Sequence, residues 1–455
     1  MKNRLLGVLL VALLVCATGA WAQETFGTIT GTVLDSTGAA IPGAKVTITS
    51  TDKGVVVREV ETGAAGIYTV PKLVIGRYSV TVEAKGFKKA TISAIDLNVG
   101  EIYRSDVTMQ VGSVVETVTV EAAAIQVETE SAIAGTLISG AQVRELSLNN
   151  RNYQQLVSLS PGVSYGGGDQ LFVGTTNPSG QTNVVSFSIN GQRTSANNWT
   201  VDGADNVDRG SNLTLLNYPS VEAIAEFKVL RNIYSAEFGR AASGNVNVIT
   251  RSGSRDFHGN AYEFVRNDIF NANTYVNNAN GAKRPPLRYN NFGWTLGGPV
   301  IIPGLYGTNK DDRRTFFFFS QEFRRQNVPA SVIATVPTAL EKQGTFSKTV
   351  CIAPNTYTSA CPGGSTGTTI AAINPIAQEY LTAIWNSMPV PTDPTTHQWF
   401  GTFQSQFKTR QELARVDHVF GPRWSVFGRF LNDTIPTKEP GGLFTGAALP
   451  GVSNT

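Results

Sequence analysis

The sequence predicts a mainly β protein in three successive parts: a β-sandwich, a mixed α+β unit, and the start of an antiparallel transmembrane β-barrel. Three observations carry this. Short runs that alternate apolar with small or polar residues recur along most of the chain, which is the period of a half-buried strand. Glycine contributes 45 of 455 residues and charged residues only 16%, against roughly 7% and 25% in an average domain, a bias toward turns and strands. Turn dipeptides such as Asn190-Gly191 and Asp202-Gly203 separate the runs.

The first 22 residues predict export. Lys2 and Arg4 form a positive start, residues 5–15 are apolar, and Ala20-Trp21-Ala22 is a small-x-small cleavage site, the pattern of a secretory signal peptide. The apolar run is shorter than the roughly 20 residues a spanning helix needs. Val15 before Cys16 is too bulky for a lipid-attachment motif, so cleavage before Gln23 is expected to leave no lipid anchor. Losing Lys2 and Arg4 takes the formal charge from +3 to +1. With no basic helix or patch, nucleic acid is not an expected partner. Cys351 and Cys361 remain, and in an oxidising compartment a disulfide closing their loop is expected. No histidine lies close enough in sequence to suggest metal binding there.

Residues 23–111 predict the sandwich. Ile29, Gly31 and Val33 share one strand face; Val46 with Ile48, Tyr68 with Val70, and Tyr78, Val80 and Val82 repeat the pattern. The stretch GTVLDSTGAAIPGAKVTI and the later GIYTVPKLVIGRYSVTVEAKGF resemble the carboxypeptidase regulatory-like domain, a transthyretin-like fold grouped with carbohydrate-binding-like sandwiches. In that family the domain is an accessory module, so the resemblance implies a structural or binding role and no peptidase chemistry. Residues 112–125 follow as a joint that alternates without an obvious partner strand. Its pattern fits either a last sandwich strand or a linker.

Residues 126–253 predict a compact α+β unit. A short helix over residues 143–159 carries Tyr153, Leu156 and Val157 on one side and stops at Pro161-Gly162. Phe187, Ile189, Trp199 and Val201 lie on alternating runs, Ser220 caps a brief helical turn, and a strand covers residues 245–250. Asp202, Asp205 and Asp208 lack the alternating ligands and central glycine of a calcium loop and are expected to be solvated turn residues.

The stretches LSLNNRNYQQLVSLSPGV, FSINGQRTSANNWTVDGADN and VEAIAEFKVLRNIYSAEFGRAASGNVNVITRSG closely resemble the plug of TonB-dependent receptors of the Oar-like type. Ser147, Asn150 and Asn245 depart from the subgroup at turns rather than in chemistry. The resemblance implies that Glu116, Thr117, Val118, Thr119 and Val120 in the joint form a TonB box, the extended peptide through which the TonB energy-transducing complex engages by strand addition. It also implies that Arg231, Glu237 and Arg240 hold the plug against the barrel wall.

Residues 254–455 predict the first barrel strands: 257–266, a strand with Phe292, Trp294 and Leu296 on one face, 314–325 with Phe316 to Phe319, a strand through Ala414, Val416, His418 and Phe420, and 424–430. From a periplasmic exit, residues 267–287 and 326–409 become external loops, while residues 301–313 and Gly421-Pro422 turn inside. About five strands against the ~22 of a plugged transporter predict a truncated barrel. No cofactor is expected. Gly363-Gly364-Ser365-Thr366-Gly367 satisfies G-x-S-x-G without the strand-turn-helix context of a nucleophile, and His258, His397 and His418 are scattered. The resemblance implies an outer-membrane receptor with its N-terminal domain in the periplasm, embedded in outer-membrane lipid. It would take up an extracellular carbohydrate, peptide or metal chelate. A surface adhesion or secretion-assisting protein, or a fragment inactive alone, are the alternatives.

Overall fold

The computed structural model describes residues 25–112, 117–121, 130–131, 133–165, 187–208, 210, 212, 215–232, 234, 239, 241–279, 281–353, 365–440 and 453–454. The expected signal peptide, residues 1–22, lies outside these.

The sandwich is built from β1 (Phe26–Asp35), β2 (Lys45–Ser50), β3 (Val55–Glu61), β4 (Ile67–Val74), β5 (Gly76–Glu83), β6 (Lys89–Leu97), β7 (Ile102–Arg104), β8 (Val107–Met109) and β9 (Thr117–Glu121). One sheet runs β4-β1-β7, with β8 also on β1; the other runs β3-β2-β5-β6-β9. The alternating residues meet between them, with Ile29, Val33, Val46, Ile48, Tyr68, Val70, Tyr78, Val80 and Val82 all buried. Gly31, between Ile29 and Val33, has a separate reason. A Cβ there would sit 2.0 Å from the Ser105 carbonyl oxygen, which accepts a 2.6 Å bond from the Tyr68 hydroxyl. Any larger residue would push the β7–β8 connection at Ser105 away from β1.

The α+β unit centres on one mixed sheet in the order β10 (Ala134–Ser139), β15 (Ile224–Asn232), β16 (Asn245–Thr250), β13 (Asn198–Val201) and β14 (Ala204–Asp205). A small pair, β11 (Val163–Tyr165) and β12 (Phe187–Ile189), packs beside it. Asn190-Gly191 takes φ of 53° and 73°, and Asp202-Gly203 takes 45° and 79°, the two successive positive values of a type I′ turn. The helix expected over residues 143–159 is instead two pieces. Ser139 and Gln142 form a capping box for Gly140–Glu145, which ends at an extended Leu146; Tyr153–Leu159 is a separate 3-10 helix. Asn150 and Arg151, at φ 55° and 54°, break the run because left-handed residues cannot continue a right-handed helix. The apolar side survives the break: Tyr153, Leu156 and Val157 pack in one core with Phe187, Trp199, Phe227 and Val248.

The next sheet is antiparallel and seven-stranded: β17 (His258–Asn267), β18 (Arg288–Pro299), β19 (Thr315–Thr335) and β22 (Gln398–Val419) in order, with β23 (Ser425–Thr434) and then β24 (Thr437–Pro440) both on β22 and β25 (Ser453–Asn454) on β24, curved around the plug-like unit. A side hairpin, β20 (Thr345–Ala353) with β21 (Ser365–Thr369), decorates the loop. All five expected strands are present, but β19 and β22 are far longer than the sequence suggested. They stay in register from Thr315↔His418 to Thr335↔Gln398, so the loop expected at residues 326–409 shrinks to 336–397. The alternation that marks a lipid-facing strand stops near Gln326, where the hairpin leaves the apolar layer, yet backbone pairing needs no apolar face and continues. Phe292, Trp294 and Leu296 are exposed on the outward face, whereas Asn291, Thr295, Ser320, Glu322 and Arg324 point inward and are buried. No described helix is long and apolar enough to cross a membrane.

Candidate functional site: the edge strand and the inner contacts

Thr117, Val118, Thr119 and Val120 lie on β9, which joins the sandwich by parallel pairing with β6: Lys89↔Thr117, Ala90↔Val118, Thr91↔Thr119 and Ile92↔Val120. Glu116 lies outside the described residues. Of the two readings the pattern left open, this is the sandwich strand. β9 ends its sheet, and among the described residues no strand pairs with its other side. An edge of this kind offers a row of backbone donors and acceptors to an added strand.

Twelve residues separate β9 from β10, an edge strand of the second sheet, and that sheet is tied to the barrel wall by buried polar contacts. Asp202 stands at their centre. The expectation of a solvated turn residue is incorrect here: its side chain is 2% exposed. Its oxygens accept from the Thr250 amide (2.8 Å) and hydroxyl (2.6 Å) and face Arg415 (3.4 Å) and Arg429 (3.0 Å) of the wall. Arg415 also holds Asp417 at 3.1 Å, and Asp417 meets Lys53 of the sandwich at 3.3 Å. One ion network therefore joins all three parts. Burial pushes the Lys53 ammonium below its ordinary range, against the pull of Asp417. The turn position of Asp202 reads locally as solvent, and its arginine partners lie more than 200 residues on, so nothing nearby in sequence marks the hub.

A second contact is built on Glu222, which pairs with Arg151 at 2.8 Å and accepts from Asn260 of β17 at 2.7 Å. Arg151 sits 4.0 Å from the Phe264 ring centroid, and Arg266 donates to the Asn150 side chain at 2.6 Å. Arg231 donates to the Pro161 carbonyl within its own unit at 3.0 Å. The described wall contacts thus include Asp202, Glu222 and Asn150, together with the Tyr218 carbonyl, which accepts from Gln411, and Arg251 over the Phe318 ring. Glu237 and Arg240 lie outside the described residues.

The sandwich reaches the central sheet through the turn before β7. Glu226 accepts from the Val99 amide at 2.7 Å, and Lys228 donates to the Gly100 carbonyl at 3.3 Å. Beside this contact lies a cleft of about 1200 Å³ between the parts, lined by Asp52, Arg77, Arg144, Glu226, Arg251 and Arg255 among others. Burial pushes the Glu226 carboxyl up to about 7, its amide bond opposing only part of that shift. A carboxyl with a raised folded-state value binds its proton more tightly folded than unfolded. Its stabilisation is therefore full below about pH 4.3 and lost as pH rises through about 7. The apparent melting temperature of the docked protein should fall from pH 5 to 8, and Glu226→Gln should flatten that slope. An unchanged slope in the variant would remove Glu226 as the cause.

In the outer loop, Cys351 is disulfide-bonded, and Cys361 lies outside the described residues. His397 and Glu341, 2.9 Å apart, tie the loop's two ends. Ser365 opens β21 rather than a strand-turn-helix. His258 contacts Ser254 and His418 contacts Thr315, so the three histidines remain apart. Among the described residues no three His, Cys, Asp or Glu groups gather as a metal set.

The chain matches three families: the carboxypeptidase regulatory-like domain over residues 28–110, the TonB-dependent receptor plug domain over 128–246, and the outer membrane beta barrel domain over 249–455. It is 28% identical over 326 residues to the TonB-dependent transporter Oar of Myxococcus xanthus, covering 67% of this chain and 28% of that protein. The chain thus spans just over a quarter of that relative's length. Among solved structures it is similar to the outer membrane transporter YddB from Escherichia coli, with TM-score 0.40, 10% identity, and coverage of 67% of this chain and 33% of that one. A pilus 2b backbone protein of group B streptococcus matches at TM-score 0.17 and 22% identity over 19% of this chain and 42% of that one.

Proposed function

The chain belongs to the TonB-dependent outer-membrane transporter family, with its N-terminal domain in the periplasm, and from that premise we propose that it takes part in TonB-driven uptake of an extracellular ligand. The observation that carries this reading is β9, a short edge strand directly before the plug. Glu116, Thr117, Val118, Thr119 and Val120 serve as the TonB box, and a pull on them is transmitted through residues 122–133 to β10 and the plug sheet.

Storage on β6 makes the coupling strand available without leaving it loose. Its backbone groups are half satisfied, and its second edge is open to a partner strand. The sandwich is held to the plug at Glu226 and to the wall at Lys53. A pull borne by the whole sandwich would be shared among those contacts, whereas a pull on β9 peeled from β6 acts on the plug alone. Arg231, Glu237 and Arg240 serve as the charges that hold the plug against the wall until it is pulled, and a Cys351–Cys361 bond closes the outer loop. Carbohydrate, peptide and metal-chelate ligands remain the candidate classes, since a scaffold does not fix its cargo.

The test is Val118→Pro, which removes a backbone donor from the middle of β9. TonB-dependent uptake by cells carrying the variant should fall at least to the level of a TonB deletion. Uptake equal to the wild type, with the protein present in the outer membrane, would sink the proposal.

A further inference from the structure

We propose that the outward face of β18, β19 and β22 carries a binding site for the phosphate of an outer-leaflet lipid headgroup, centred on Arg325 and Lys408. The register of the three strands aligns their outward residues in rows. From the periplasmic side the rows read Leu296, Phe319 and Ala414, then Trp294, Gln321 and Glu412, then Phe292, Phe323 and Arg410, then Asn290, Arg325 and Lys408, and last Arg288, Asn327 and Gln406. β18 and β19 carry their last outward rings in the row of Phe292 and Phe323, while β22 is already polar in the row below, at Glu412. The end of the rings on β18 and β19 marks the water interface, and those just below it form an aromatic belt: Phe292 stacks on Phe323 at 5.3 Å, and Trp294 lies 5.0 Å from Phe319. Residues 267–287 and 336–397 connect the strands at this end, so it is the external one.

Just above the belt the charges do not balance. Arg410 is paired with Glu412 and Arg288 with Asp268. Arg325 and Lys408, however, are direct cross-strand partners, and among the described residues neither meets a carboxylate. Like charges directly opposite on one sheet face repel, so the pair calls for an anion. The Arg325 guanidinium is already positioned, donating to the Thr409 carbonyl at 3.0 Å and lying 5.3 Å from the Phe323 ring. A planar fork held in place beside a flexible ammonium suits a phosphate. Two uncompensated positive charges match one phosphate monoester, and acyl chains below it would lie along Phe323, Phe319 and Leu296. Phosphorylated lipid is the ligand because the site opens onto the membrane at headgroup depth rather than onto the lumen.

The experiment is native mass spectrometry of the whole detergent-purified protein with a bis-phosphorylated glucosamine lipid, its dephosphorylated form, and inorganic phosphate. The phosphorylated lipid should bind in preference to the dephosphorylated one. Its affinity should drop roughly fivefold for Arg325→Gln or Lys408→Gln and about thirtyfold for the pair, at about 1 kcal/mol per cation. Lys310→Gln, at the periplasmic turn, should leave binding unchanged. Equal affinity in the double variant would overturn the site, as would equal binding of the dephosphorylated lipid. Displacement by equimolar inorganic phosphate would overturn its assignment to lipid. Each single variant provides a reading if the double variant fails to fold.

Discussion

Asp202→Ala is expected to loosen the plug from the wall by about 3–5 kcal/mol, the range for breaking a buried ion pair from one side. The size follows from what is left behind. Arg415 keeps Asp417, but Arg429, with 16% of its side chain exposed, loses the carboxylate it meets. The Thr250 amide and hydroxyl, both buried, lose their acceptor. An unsatisfied buried donor adds its own desolvation penalty. At about 1.4 kcal/mol per decade, hydrogen exchange at the Thr250 amide should accelerate by roughly two to three and a half powers of ten. Asp202→Asn should fall between wild type and alanine, because the amide oxygen still accepts and asparagine tolerates the φ of 45° at this turn. Alanine exchanging as slowly as the wild type would show that the hub does not hold the plug.

That hub also marks where the sequence stops being legible. The sandwich core was readable because each strand has its own period-2 pattern, and Ile29, Val46, Tyr68 and Val80 each declare their face from two neighbours. Both type I′ turns were readable because Asn-Gly and Asp-Gly suit successive positive φ values. The sequence reads as one plug helix because helical spacing of Tyr153, Leu156 and Val157 is also met by a 3-10 turn, and because an arginine at φ 54° has no local signature. The polar contacts could not be read at all. Asp202 with Arg415, Glu222 with Asn260, and Asn150 with Arg266 join residues from 38 to 213 positions apart, and an isolated polar residue carries no sign of its partner. The rims of β19 and β22 are silent in the sequence for a related reason: two-sided polar strands have no apolar period. The segment of β9 could be read as a strand, but its choice of β6 depends on the sheet edge left open by the rest of the sandwich.

A cysteine pair across that edge, Thr91→Cys with Thr119→Cys, should abolish energised uptake when oxidised and restore it when reduced. The two residues are direct partners between β6 and β9. Parallel neighbours lie about 4.8 Å apart, within the Cα separation that a disulfide spans. Thr119 is exposed and Thr91 half-buried, so the bond forms on the solvent side and spares the core. Thr119→Cys alone reports any effect of altering the coupling segment itself. Binding of the purified periplasmic domain of TonB separates two ways in which β9 can work. If β9 must leave β6, the oxidised protein neither binds TonB nor transports. If TonB adds to the free edge while β9 stays in place, binding persists but the pull is carried by the sandwich and divided among the Glu226 and Lys53 contacts, so transport still fails. Oxidised protein that both binds and transports like the reduced form would show that the plug is loaded through the whole sandwich, and that peeling β9 from β6 has no part in coupling.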